Sequence, residues 1–311
     1  MHRIDGPGAT VDNKFTDGDP VGGVQATIVT DDWLNDMQEE VMSVLTAAAV
    51  APVKGTQNQL LRAIRSISTG VVGTATNVRM TIASASATAT LTADEIVVGT
   101  ALGGQTYRLA GFNKVINLAS TGAGGRDTGA VPVNGYVALY AIYNPTTDTS
   151  ALLAVNATST IAPAVYGGAN MPAGYTASAL LTVVPTNASS QFKVCRVYGR
   201  QINTVLVAVF TSGLNVPDTA VGISSAVPPN AVEIFGELQL SITSSATMSM
   251  TIKSDASGVG QQNISLVITG AGGTTGNYGS VPVITPQTIT LNANTTSGTP
   301  GFTLHVGGYK I

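Results

Sequence analysis

The chain has 311 residues, 10% of them charged, 44% apolar and only 5% aromatic, with 35 glycines and a formal charge of -3, whereas an ordinary soluble protein is roughly one quarter charged. That balance excludes a nucleic-acid surface, which needs clustered Lys and Arg. The single Cys195 excludes an intrachain disulfide or a cysteine zinc cage, and His2 and His305, at opposite ends, leave little for a histidine metal site or a catalytic triad, so no cofactor is expected.

Charge is concentrated at the front. Residues 1–69 hold 9 acidic and 5 basic side chains, against 8 and 9 in all the rest, so a polar leading segment precedes a nearly uncharged body. The start lacks the apolar core of a signal peptide, and the run Val44 to Val53 is too short to cross a bilayer. The chain is expected to stay in the cytoplasm where it is made, with no membrane insertion.

Residues 1–29 are rich in turn chemistry: Gly6-Pro7-Gly8, Asp17-Gly18-Asp19-Pro20 and Gly22-Gly23. They read as an extended attachment arm that orders against a partner. Asp17 and Asp19 fit a turn better than a calcium loop, because the later ligand positions are missing.

Residues 30–67 predict a helical hairpin. Thr30 can cap a first helix whose positive end is favoured by Asp31 and Asp32. Trp33, Leu34, Met37, Val41, Val44, Leu45 and Ala48 share one face at helical spacing, and Pro52 and Gly55 end it. Thr56 to Gln59 reads as a capping box opening a second helix with Leu60, Ile64 and Ile67 on one stripe. A unit this small is at the margin of folding alone, so its apolar seam predicts burial against copies of itself or a docking protein, the alternative being its own β body.

From Ser68 the period becomes two. Ala87, Ala89 and Leu91 alternate with threonines, while Tyr136–Tyr143 and Val205–Phe210 are apolar on both faces and predict central strands. The pattern lapses between Thr211 and Ala231, and strict alternation resumes from Val232 to Ile242, followed by Met248–Ile252, Ile264–Ile268 and Phe302–Val306. The expected architecture is mainly β with an N-terminal helical hairpin, in jelly-roll or Greek-key β-sandwiches: a central one over 68–211 and a C-terminal tip over 212–311. Residues 121–125 (TGAGG) recur at 269–273, and VPV at 131–133 recurs at 281–283. Tandem related sandwiches and chance reuse of turn vocabulary explain this echo equally well.

Catalytic arrangements are scarce. Glu233 and Glu237 share a strand face about 13 Å apart, too far for sugar hydrolysis, and Asp94 and Glu95 would point to opposite faces. No G-x-S-x-G elbow accompanies a histidine, and the glycine runs lack the Lys-Ser/Thr of a phosphate loop. Cys195, within FKVCRVY, reads as a small core residue. The expectation is a protein that is not an enzyme.

The opening HRID, FTDGDP at 15–20, the helical segment TDDWLNDMQEEVMSVLTAAAV and NQLLRAI together resemble the amino-terminal segment of bacteriophage tail fibres. The body is similar to the same group in VNGYVALYAIYNPTT, APAVYGGANMPAGYTASALL, AVPPNA and ITPQTITL. This resemblance implies a homotrimeric virion protein of the tail. Its amino end would fix to tail-tip or baseplate proteins, and its carboxyl end would meet a host surface polysaccharide or protein receptor. A structural connector carrying another adhesin, a polysaccharide depolymerase and a phage-derived bacteriocin particle are the alternatives. If the carboxyl end is distal, the loops 254–262, 270–280 and 292–301 face the host. Tyr278 would then stack on a sugar while Asn277 and Thr274 hydrogen-bond it.

Overall fold

A computed structural model describes residues 2–67 and 70–311. The chain is mainly β, with antiparallel sheets and N-terminal helices, the class that the hydrophobic alternation predicts. It forms two compact units: Met1–Gly70 with Gln105–Tyr107, and Val71–Gly104 with Arg108–Ile311. The expected start of the β body at 68 lies outside the described residues.

In the first unit, α1 spans Asp31–Ala47, and Thr30 caps it by accepting from the Trp33 N–H at 3.4 Å. The helix stops short of Pro52 because Ala49 turns left-handed (φ 52°) and Val50 N–H donates back to the Leu45 carbonyl at 2.9 Å, a helix end that glycine usually makes. The second helix, α2, spans Gln59–Ile67. The expected capping box is not formed. Gln59 is the first helical residue, so its amide reaches backwards, accepting from Val53 N–H at 2.7 Å and donating to the Val53 and Thr56 carbonyls at 2.8 Å. Leu45, Ala48 and Ala63 make the small core between the helices, flanked by Met42, Val44 and Val50.

The arm, expected to be extended, is folded within this unit. Ile28 N–H donates to the Pro7 carbonyl and the Thr27 hydroxyl to the Gly8 carbonyl, both at 2.9 Å. Ile4 is buried, and the Phe15 ring meets Trp33 edge-on at 5.1 Å. Ile4 and Phe15 find the Trp33 side of α1 and, with these backbone bonds, hold the arm folded.

Apart from the first two residues of β4, the second unit holds the strands β1 (Ala75–Thr76), β2 (Arg79–Ile82), β3 (Thr88–Gly99), β4 (Thr106–Asn117), β5 (Tyr136–Asn144), β6 (Thr149–Asn156), β7 (Ala177–Pro185) and β8 (Cys195–Tyr198). They are followed by β9 (Gln201–Ser212), β10 (Val216–Gly222), β11 (Glu233–Ile242), β12 (Ala246–Lys253), β13 (Gln262–Ile268), β14 (Gly272–Pro282), β15 (Thr288–Thr295) and β16 (Pro300–Lys310). The large sheet runs β14-β11-β16-β9-β8-β2-β3-β7-β5-β6, with β1 and β4 also on β3; the small one runs β10-β15-β12-β13. The expected division at 211/212 falls inside β9, and β9 pairs along its length with β16, so the large sheet continues through it. The lapse between Thr211 and Ala231 is packed rather than loose. Ile223 and Val227 are buried, and the Asn230 amide bonds both the N–H and the carbonyl of Ala162 at 2.8 and 2.9 Å.

Alternation drives the core. Leu238, Leu240 and Ile242 on β11 and Phe302, Leu304 and Val306 on β16 face inward, as do Met248, Met250 and Ile252 on β12, each worth about 1.5–3 kcal/mol on burial. Tyr136–Tyr143 is central, as expected, lying between β6 and β7. Its buried tyrosines keep hydroxyl partners, Tyr140 donating to the Pro163 carbonyl at 2.8 Å and Tyr136 to Ser224 at 3.2 Å; burial raises both phenol pKa values. The two copies of the TGAGG echo differ. Gly122 and Gly124 take positive φ in a turn, whereas their counterparts Gly270 and Gly272 do not, and Gly272 begins β14. Reused turn vocabulary accounts for the echo.

Candidate assembly and binding surfaces

The helical seam separates into three parts. Leu45 is buried in the hairpin and Val44 packs against that core. Trp33 and Met37 face the arm, lining a cavity of about 390 Å³ together with Ile4, Lys14 and Phe15. The remainder is open: Leu34 (53% exposed), Val41 (38%), Leu60 (41%), Ile64 (52%) and Ile67 (44%). Leu60, Ile64 and Ile67 recur at i, i+4 and i+7, so α2 carries an unbroken apolar line. Ala63 beside it is too small to bring those larger side chains into the hairpin core.

The proposed sugar-binding trio does not converge. Residues 272–280, expected in a loop, form most of β14. There Thr274 pairs with Leu240, Asn277 with Glu237 and Tyr278 with Gly236, and a strand's period of two puts Thr274 and Tyr278 on the face opposite Asn277. Tyr278 is only 4% exposed. Its hydroxyl sits beside Gly236, where a β-carbon would crowd both that hydroxyl and the His305 carbonyl, and the hydroxyl donates to the His305 carbonyl at 2.9 Å. Burial holds its pKa well above the ordinary phenol value. Tyr278 is thus a packing residue that fills the gap glycine leaves, not a stacking platform.

Val205–Phe210 is a second correction. Short β8 pairs with β9 only over Gln201–Thr204, and beyond it the chain diverges as Lys193 N–H donates to Pro185 and Phe192 N–H to Ser86. From Val205 onward β9 has β16 on one side and an open edge on the other, leaving Val205 65% exposed. Two adjoining cavities of about 290 and 270 Å³ lie at this step, sharing Val194, Thr204 and Val205. The sequence carries no sign of it, because an apolar edge and an apolar interior strand read alike.

Four titratable groups of the β unit are held in ion pairs, hydrogen bonds or the core. Glu233 binds Lys310 at 2.5 Å; burial pushes its carboxyl up, but bonds from Lys310 and Ser280 hold it below the ordinary value. Asp218 accepts from buried Lys253 and from Asn292, each at 2.7 Å, which holds its carboxyl below the usual range. Cys195 is buried and its thiol pKa is pushed up to about 12. Asp94 accepts from Asn77 at 2.5 Å. Among the described residues no group of three or more His, Cys, Asp or Glu could hold a metal ion, and no helix is long and apolar enough to cross a membrane.

No protein-family profile matches this chain. The "Uncharacterized protein StfP" of Escherichia coli (strain K12) is 41% identical to it over 73 residues, 22% of this chain; the match spans 35% of that relative's length. Among solved structures, the insecticidal delta-endotoxin Cry8Ea1 of Bacillus thuringiensis overlaps 81% of this chain and 55% of its own, at 9% identity and a TM-score of 0.22, which does not equate the two folds. The chain is therefore similar in part to StfP, a likeness that extends over less than a quarter of its residues.

Proposed function

We propose that the chain is a subunit of a homotrimeric bacteriophage tail fibre. Tail-tip or baseplate proteins hold its amino end, and its β unit adsorbs to a polysaccharide or protein receptor on the bacterial surface. The observation that carries this reading is the open apolar line Leu60, Ile64 and Ile67, with Leu34 and Val41, on a unit whose own core is three residues deep. Water-exposed leucine and isoleucine at helical spacing favour helix-on-helix burial between hairpins of neighbouring copies. The nearly uncharged Thr/Ser-rich β body supports a binding rather than a catalytic role, and the structural pairing of Glu233 and Asp218 supports the same view. The working location is the virion tail.

Light scattering on the purified full-length chain tests assembly, with a particle of three 31.4 kDa subunits expected; a monodisperse monomer overturns the reading. Adsorption is tested separately by competition. Purified trimer should block attachment of the parent particle to sensitive cells, and absence of competition at saturating protein removes the receptor-binding half.

A further inference from the structure

The ribbon β14-β11-β16-β9 is open at both ends over the same rows. Ala208 pairs with His305, His305 with Glu237, and Glu237 with Asn277; the next row is Phe210, Leu304, Leu238 and Gly276, and the one after it Thr211, Thr303, Gln239 and Thr275. Among the described residues, the backbone of Val205–Thr211 has no partner other than β16, and that of Gly272–Tyr278 has none other than β11. Exposed sheet edges in natural proteins are usually blunted by charge or proline. Neither segment contains a charged residue or a proline; the glycines of β14 make room within the subunit, Gly272 and Gly276 for the Ile268 and Ile264 side chains of β13 and Gly273 for the Leu240 carbonyl, and its outer backbone edge stays unpaired.

Resting on the trimer reading, we propose that the occupant of each edge is a second copy of this chain: β14 of one subunit pairs with β9 of the next. Direction supports it. All three pairings in the ribbon are antiparallel, so β14 and β9 run oppositely. A rotation about an axis along the strands therefore brings the neighbour's β14 antiparallel to β9. Such a contact is head-to-tail, and a head-to-tail contact ends either in a closed ring or in an open filament; three copies close it. Charge agrees as well, because a neutral edge selects a neutral partner. The cavities beside Val194 and Val205 lie where β8 stops, leaving room for the end of the incoming strand.

Amide hydrogen exchange on the full-length assembly, with its mass read by light scattering, tests the pairing. In a trimer, peptides covering 205–211 and 272–278 should exchange at least about tenfold more slowly than loop amides, because neither edge is open to water. A trimer in which half the amides of both segments exchange at loop rates overturns the pairing and leaves the trimer reading standing; a monomer overturns both. Val207→Pro and Ala208→Pro provide the second arm, since successive strand N–H groups point to opposite edges. The variant that retains its circular dichroism is the one whose N–H faces outward, and it should lose protection in 272–278, on the neighbouring subunit. Unchanged protection there overturns the pairing.

Discussion

The two units solve the burial problem differently. The β unit closes its own core: Leu240, Phe302, Leu304, Met250 and Leu291 are fully buried, and its tyrosines keep hydroxyl partners inside. The helical unit places Leu45, Ala48 and Ala63 inside and leaves most of its large aliphatic residues in water. A 12-residue strand contributes several inward positions to a sheet that continues on both sides, whereas two short helices have one shared seam between them. Completion from within suits a part that must present a stable surface; an unfinished core suits a part that must find neighbours.

The sharpest way to break this contrast is to compare equal truncations. Phe302→Ala should cost about 3–5 kcal/mol of β-unit stability, read from denaturant midpoints, whereas Leu34→Ala should leave the unfolding of an isolated subunit within about 0.5 kcal/mol. Similar losses at the two sites would erase the distinction. Next in size, Leu60→Asp with Ile64→Asp should weaken the proposed trimer, read as a rise in the concentration at which light scattering first detects it, while the far-ultraviolet circular dichroism of the β unit stays unchanged.

The acid limb sharpens the β side. Asp218 has a depressed pKa in the folded chain because Lys253 and Asn292 bond its carboxylate. Its stabilising contribution is thus present above the unfolded carboxyl pKa and is lost as pH falls through the folded one. Asp218→Asn should lower the melting temperature at neutral pH by stripping buried Lys253 of its counter-ion, and should flatten the decline measured below the usual carboxylate range. The smallest effect belongs to the helical side. Ala49 holds a left-handed φ at an exposed helix end, so Ala49→Gly should gain about 0.5–1 kcal/mol of hairpin stability by thermal melting.

Much of this was legible from periodicity. The alternation in Val232–Ile242 and Phe302–Val306 located β11 and β16, and Thr30 marked the start of α1. β14 was not legible, since glycine and threonine carry almost no hydropathy signal and GAGGTTGNYGS reads as a turn. Its identity comes from Leu238 and Leu240 across the ladder, a nonlocal cause. The same limit hid Tyr278, whose burial depends on a glycine 42 positions away in sequence, at 236. The open edge of β9 follows from where β8 stops, and Gln59 follows from a helix start one turn removed from the pattern it resembles. For the candidate surfaces, the hydrophobic line on α2 was visible beforehand; which members of the seam the arm and hairpin would cover was not.

The sealed thiol of Cys195 has a practical side. With its proton held up to a pKa of about 12 and its sulfur packed inside the sheet, it offers almost no thiolate to an alkylating reagent at neutral pH. A fluorophore or spin label aimed at a cysteine introduced on the surface, at Leu206 or Thr275 for instance, would therefore find a single reactive target in the natural background. Distances between subunits could then be measured without first removing the native sulfur.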